Sequence, residues 1–385
     1  MNIALGAYLL SGTPGYRQAG IHQYTRALIE AMDEVLAIHP RDMSLTALVS
    51  PTAGGELLTG GARTPVAVRQ ASRSTESPLS RIRVEQLETP AVLRELRADL
   101  YHGMAFVAPL RAPCPTVVTV HDLSFITRPR THKVANRMYL ALFARWSCRR
   151  AARVIAVSEW TKRDIVTLLG VDAARIDVIP HGVHVQFHPL PEAEVDTFRR
   201  ANRIGSRSIF FLGSLEPRKN LPALVDAFAR ARGRIPQAEL FIGGGQGWKY
   251  EPLYARIEAL GLKEHVRFIG PVAQAELPLW YNACAVFAYP SLYEGFGLPA
   301  LEAMACGMPV VASNAAALPE VVGDAGLMVA PDDVGGLADA LARVLSDGGL
   351  RRLMREESLR QASKYTWARS AEMTLETYGR AVQQF

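Results

Sequence analysis

Short apolar runs alternate with longer amphipathic stretches along almost the whole chain. In the first half, runs at Ile3–Leu9, Ser44–Ser50, Thr116–Val120, Ile155–Val157 and Arg175–Ile179, with another starting at Asp99–His102, predict strands. They are continuous rather than alternating, as strands buried on both faces of a parallel sheet are. From Ile21 to about Ile38 the apolar positions Ile21, Tyr24, Leu28, Met32 and Val35 recur at helical spacing. Helices are also expected at Ala91–Leu96, from Val134 to Trp146, and over Lys162–Leu169 behind a Ser158 cap.

The second half repeats one unit. Strands at Ser208–Leu212, Ala238–Ile242, Val266–Ile269, Ala285–Tyr289, Val310–Ala312 and Leu327–Val329 alternate with helices to Gly233, to Leu260, over Gln274–Cys284 and over Leu298–Cys306. Helices at Asp333–Ser346, Leu350–Lys364 and Trp367–Val382 close the chain. Such βα repetition predicts parallel sheets covered on both faces. The stretch Pro180–Pro191 reads as a linker. The expected division is therefore 1–185, completed by the last helix 367–385, and 191–366. Residues 51–83 break the rhythm and read as loop with one short strand near Val66–Val68.

Composition changes this picture little. Charged residues are 21% and the net charge is +6, which sets aside a nucleic-acid coat. Cys114, Cys148, Cys284 and Cys306 have no metal-ligand spacing and form no disulfide framework. A reduced, cytoplasmic setting is the expectation. The start reads as a first strand rather than a signal peptide, and no run approaches the ~18 apolar residues of a span.

One charge feature does matter. Between Leu123 and Ser158 there is no acidic residue, while Arg128, Arg130, Lys133, Arg137, Arg145, Arg149, Arg150 and Arg153 are basic. The stretch reads either as a solvated arginine face or as a face for anionic lipid at the inner side of a membrane.

Candidate chemistry collects where strands end. Glu294 and Glu302 bracket Gly-Phe-Gly-Leu-Pro, with Phe296, Gly297 and Leu298 at the start of a helix. Three loop residues and five helical ones put the carboxylates roughly 10–15 Å apart. That is too far to flank one glycosidic bond, where carboxylates sit ~5–9.5 Å apart. It suits a sugar at one end, a ribose at the other, and phosphates between them on helix-end amides. Arg218 and Lys219 follow a strand and precede a helix, a place where two cations suit a diphosphate. Gly213 precedes them, and Gly243–Gly247 and Gly270-Pro-Val272 follow later strands. A glycine-bearing loop, Ser11–Gly20, follows the first strand, and His121-Asp122 follows Thr116–Val120. His181 and His184 read as a hinge turn with no third ligand, and no Asp-X-Asp is present to hold a divalent metal.

Glu294-Gly-Phe-Gly-Leu-Pro-Ala-Leu-Glu302 and Gly213-Ser-Leu-Glu-Pro-Arg-Lys-Asn-Leu221 resemble the motifs of retaining glycosyltransferases of family 4. The resemblance covers nearly the whole chain. It implies an α/β, GT-B fold, two Rossmann-like parallel-sheet domains facing across a cleft. It implies that Glu294 bonds donor-sugar hydroxyls and Glu302 the ribose. Arg218, Lys219 and the amides of Phe296, Gly297 and Leu298 would hold the diphosphate. Gly20 would touch it too, although relatives carry a Gly-Gly pair where this chain has Ala19-Gly20. Gly213 and Gly243 would line the donor, Val272 would sit by the base, and His121 would meet the transferring sugar or its leaving group.

The implied activity is retaining, cofactor-free and metal-free transfer of a hexose to a glycan or lipid-linked acceptor. The loops His121-Asp-Leu-Ser-Phe and Leu215-Glu-Pro-Arg-Lys-Asn look most like mannosyltransferases using GDP-mannose in surface polysaccharide assembly. UDP-glucose or UDP-N-acetylglucosamine donors, a GT-B sugar-nucleotide epimerase or hydrolase, and a membrane-surface scaffold remain as alternatives.

Overall fold

A computed structural model describes residues 1–10, 20–53, 66–129, 134–245 and 251–384. The chain divides into two compact units, Met1–Gly182 with Thr366–Phe385, and Val183–Tyr365.

Unit 1 is built on seven parallel strands: β1 Asn2–Gly6, β2 Ser44–Val49, β3 Ala67–Gln70, β4 Leu100–Gly103, β5 Thr116–Val120, β6 Arg153–Ala156 and β7 Ile176–Val178. Their order is β3-β2-β1-β4-β5-β6-β7. In β1, Ile3 pairs with Leu45 on one side and Leu100 on the other. Ile3 and Leu5 pack into one core cluster and Ala4 into another. Successive side chains thus enter opposite faces, which is why the strands read as unbroken apolar runs. The Gly20–Ile38 helix buries Tyr24, Leu28, Met32 and Val35, the stripe expected from spacing.

The terminal helix, Trp367–Gln383, belongs to this unit and buries Leu375, Tyr378 and Ala381 beside Leu28 and Met32. Thr366 caps it, accepting from the Arg369 amide. A Cβ on Gly182 would lie 2.1 Å from the Trp367 amide nitrogen and 2.4 Å from the Thr366 carbonyl carbon. Both clashes are with backbone, so Gly182→Ala is expected to lower the melting temperature by several degrees. A melt within 1 °C of wild type, roughly measurement error, would contradict that packing.

Unit 2 has six parallel strands: β8 Ser208–Leu212, β9 Glu239–Gly243, β10 Val266–Gly270, β11 Val286–Tyr289, β12 Val310–Ser313 and β13 Leu327–Val329. Their order is β10-β9-β8-β11-β12-β13. Phe210, Phe211, Phe241 and Phe287 fill its centre, with Trp280 stacked on Phe210 at 5.7 Å.

Several expected boundaries move. The first strand stops at Gly6, not Leu9. The helix expected over Gln274–Cys284 spans Leu277–Ala283, since a turn closed by the Glu276 amide on the Ala273 carbonyl comes first and Pro278 sits in its first turn. Helix Glu192–Asn202 lies in a stretch to which the sequence pattern assigned nothing. The region read as loop holds β3 and, from Pro78, a helix that continues through a wide turn at Val84–Glu88 into Thr89–Glu95. Residues 54–65 of that region, Arg63 among them, lie outside the described residues. Among the described residues no helix is long and apolar enough to cross a membrane.

Candidate active site

In unit 2 the chain runs from β8 through β9 to β10 on one side, then returns to β11 and continues through β12 to β13 on the other. β8 and β11 are neighbours at this reversal, and the loops at their carboxyl ends diverge there, the usual place for a ligand in an open α/β sheet. Arg218 and Lys219 sit in the short turn Pro217–Lys219 behind β8. Asn220 ends the turn with φ 57°, a left-handed conformation that asparagine tolerates. Its Nδ2 donates to the carbonyls of Pro290 at 3.2 Å and Pro331 at 2.8 Å. The Leu292 amide donates to the Arg218 carbonyl at 2.8 Å. The turn is thereby pinned to the end of β11.

There the charges meet. Lys219 Nζ donates to Tyr289 Oη and to Glu294 Oε1, both at 2.7 Å. Arg218 Nη1 donates to Glu294 Oε2 at 2.7 Å and to the Tyr293 carbonyl at 2.8 Å. Arg218 Nε and Nη2 donate to Glu216 Oε1 at 3.0 and 2.7 Å. Burial pushes the Glu294 carboxyl up, but the two cations outweigh it and hold it at about 2. Burial lowers the Lys219 ammonium against the pull of Glu294. The fork of Arg218, expected to grip phosphate, is turned onto carboxylates in this structure.

The glycine loops join this cluster. The Gly213 amide donates to the Gly243 carbonyl at 3.0 Å. A Cβ on Gly213 would lie 3.2 Å from Lys219 Cε, and one on Gly243 3.2 Å from Val272 Cγ2. Gly213, Lys219, Gly243, Val272, Arg218 and Glu294 are therefore contiguous, although far apart in sequence. Gln246 and Gly247 lie outside the described residues.

Gly297 starts the Leu298–Ala305 helix at φ 106°, a value L side chains rarely adopt. In its first turn Pro299 has no N–H, and the Ala300 and Leu301 amides donate to the Gly297 carbonyl at 3.0 and 3.3 Å, so the Leu298 amide is the helix-start donor placed for an anion. The Phe296 ring packs inward, edge-on to Tyr365 at 5.8 Å. Glu302, a turn into the helix, is partly buried and accepts from Tyr281 Oη at 3.0 Å. Burial pushes it up to about 8, against that hydrogen bond.

His121 and Gly20 belong to unit 1. The His121 Nε2 proton goes to the Met104 carbonyl at 2.8 Å, and the ring packs edge-on to Tyr24 at 4.6 Å and tilted to His181 at 5.6 Å. Burial lowers it to about 4, against that bond and Asp122, so it is neutral at pH 7. Asp122 Oδ1 accepts from the Ser124 amide and hydroxyl, so it caps. His181 lies in an aromatic pocket with Tyr24 and Trp367. Gly20 is the first residue of its helix, and residues 11–19 of its loop lie outside the described residues. Among the described residues, no group of three or more His, Cys, Asp or Glu is placed to hold a metal.

The family described as glycosyl transferases group 1 matches residues 194–361, and the one described as glycosyltransferase family 4 matches residues 20–187. The chain is 33% identical over 291 residues to the O-antigen chain mannosyltransferase B of Escherichia coli, covering 74% of this chain and 75% of that one. It belongs to the family 4 glycosyltransferases. It is also 34% identical over 246 residues to a D-inositol 3-phosphate glycosyltransferase of Kribbella flavida, covering 60% of this chain and 57% of that one. A solved sucrose-phosphate synthase from Thermosynechococcus elongatus shares the fold over 98% of both chains, with a TM-score of 0.78 at 22% identity. The fold is GT-B, the chain is a glycosyltransferase, and the scaffold reading falls away.

Some residues that support the candidate residues within each unit escaped the sequence pattern. Glu216 and Tyr289 hold the two cations, Tyr281 holds Glu302, and Tyr24 supports His121. Tyr289 had a signal, a polar-tipped residue at the carboxyl end of a buried strand, just before Pro290.

Proposed function

We propose that this glycosyltransferase moves a hexose from a nucleoside diphosphate to a hydroxyl of a glycan or lipid-linked acceptor in surface polysaccharide or glycolipid assembly, with retention and without a metal. The observation that carries the reading is the buried Lys219–Glu294–Arg218 cluster at the β8–β11 switch point, next to a helix start. Mannose from GDP-mannose is the preferred donor, supported by the identity to the O-antigen mannosyltransferase. UDP-glucose and UDP-N-acetylglucosamine are the rivals.

The chemistry asks for a stabilised leaving diphosphate and an oxocarbenium-like sugar. Cationic charge and the start of the Leu298–Ala305 helix meet the first demand. Glu294, held ionised, accepts from sugar hydroxyls, and Glu302 takes the ribose. By resemblance, neutral His121 is assigned to the transferring sugar or its leaving group. The acceptor oxygen bonds the anomeric carbon on the face the phosphate leaves. The anomeric C–O bond breaks, and a phosphate oxygen takes the acceptor proton.

The test is a panel of sugar nucleotides with and without acceptor, with the anomeric configuration of the product read by NMR. A retained linkage formed only with acceptor is expected. Donor turnover of equal rate without acceptor would favour the epimerase or hydrolase reading instead.

A second observation bears on the acceptor. In the Val134–Arg150 helix, Met138, Leu142 and Trp146 are 64, 57 and 49% exposed, and Arg145, Arg149 and Arg150 are exposed with them. At 3.6 residues per turn these six fall within an arc of about 140°. Arg153 is not part of this face, for it pairs with Asp177 inside the unit. Arg130 and Lys133 lie outside the described residues. Apolar tips among arginines suit an anionic bilayer surface and a lipid-linked acceptor. Leu142→Ser with Trp146→Ser is expected to cut co-sedimentation with phosphatidylglycerol vesicles roughly tenfold. Unchanged co-sedimentation would return the face to plain solvent exposure.

A further inference from the structure

Arg218 and Lys219 are adjacent cations, but their surroundings assign them different work. A guanidinium has five N–H groups in one rigid plane. At least four of those of Arg218 are spent inside unit 2: two on Glu216, one on Glu294 and one on the Tyr293 carbonyl. The bonds to Glu294 and to the carbonyl just before it fix both the carboxylate and the peptide that carries it. Glu216 fixes the guanidinium in turn, and its own side chain is about as buried as that of Glu294. Lys219 has three N–H groups. Two go to Tyr289 and Glu294, and its stem lies against Gly213 beside the glycine loops.

We infer that the cations divide the work: Lys219 meets the donor's diphosphate, while Arg218, anchored by Glu216, is a positioning residue that sets the Glu294 carboxylate toward the sugar. This rests on the donor reading above and deepens it. The charges of Glu216, Arg218, Lys219 and Glu294 sum to zero, so phosphate affinity depends on which cation can turn a proton outward, not on net charge. It also assigns a role to Glu216, which stands two positions before Arg218.

The experiment measures the dissociation constants of GDP and UDP, which carry no sugar, beside kcat with the preferred sugar nucleotide. The variants are Glu216→Gln, Arg218→Lys, Lys219→Ala, Glu294→Gln and the double variant Glu216→Gln/Glu294→Gln, each checked for native unfolding behaviour. Lys219→Ala is expected to weaken the nucleoside diphosphate at least about tenfold, the scale of one charge-assisted hydrogen bond. Arg218→Lys and Glu216→Gln are expected to keep that affinity within about threefold while kcat falls about 100-fold, the scale of one transition-state contact. The double variant is expected to be no slower than Glu294→Gln alone, since Glu216 acts through Glu294. A purely structural residue would not separate affinity from turnover in this way. Loss of GDP or UDP affinity in Arg218→Lys equal to that in Lys219→Ala, wild-type kcat in Glu216→Gln, or additive losses in the double variant would each overturn the division. Wild-type protein that binds neither nucleotide would overturn the donor reading itself, and the division with it.

Discussion

Lys219→Ala is expected to lower turnover of a nucleoside-diphosphate sugar by about 10²–10³-fold, the scale of one preorganised charge aimed at a developing anion. The residue is buried, and its ammonium is held by Tyr289 and Glu294 at the place where the proposal puts the leaving group. The same change removes one of two cations from a buried carboxylate. Breaking a buried pair costs about 3–5 kcal/mol. The variant should therefore also melt earlier, and turnover must be measured below its transition. Lys219→Arg keeps the charge but not the compact ammonium, and should recover stability more than rate. Turnover of Lys219→Ala within threefold of wild type, about 0.6 kcal/mol, would mean the lysine is only a structural ion.

Acidification is expected to loosen unit 1 well before unit 2. His102 is fully buried between Tyr378 Oη at 2.7 Å and Thr119 Oγ1 at 2.8 Å, and burial, with His121 beside it, lowers it to about 3. His121 is lowered to about 4 and His181 well below its ordinary value, both mainly by burial. An unfolded histidine takes up its proton near pH 6.5, but these folded ones refuse it until far lower. Between those values the unfolded chain binds more protons, so stability is full above pH 6.5 and drains as the pH falls toward 4. Each withheld proton contributes a slope of about 1.4 kcal/mol per pH unit. In unit 2, Glu294 is the opposite charge type with the same sign of effect, but its window opens only below its ordinary 4.5 and runs to about 2. Peptide-resolved hydrogen exchange at pH 7.5 and 5.5, corrected for intrinsic rates, should show protection lost in β1, β4 and β5 and kept in β8 and β11. Equal losses in both units would contradict the buried neutral histidines.

The strands were legible because buried parallel strands are apolar on both faces and end in Gly or Pro, as at Phe287–Pro290. The Glu192–Asn202 helix was not, because its apolar face is short, little more than Val195 and the Phe198 ring against Trp280. In unit 2 the motifs named the candidate residues, and the sheet order brings Gly213, Arg218, Lys219, Gly243, Val272 and Glu294 together. Partnership was the illegible part. Arg218 and Glu294 are 76 positions apart, and nothing in either motif says that the arginine fork closes on the glutamate. The supporting tyrosines were equally hidden, because a buried tyrosine reads as core until its hydroxyl is placed, as with Tyr281 on Glu302.

The most direct measurement is a crystal structure of the full chain with GDP-mannose, or the rival donor that binds, grown in EDTA. The account predicts a diphosphate within hydrogen-bond distance of Lys219 Nζ and the Leu298 amide, with sugar hydroxyls on Glu294 and no density for a metal. A nucleotide lodged away from the β8–β11 switch point, or one that binds only when manganese is restored and bridges its phosphates, would contradict it.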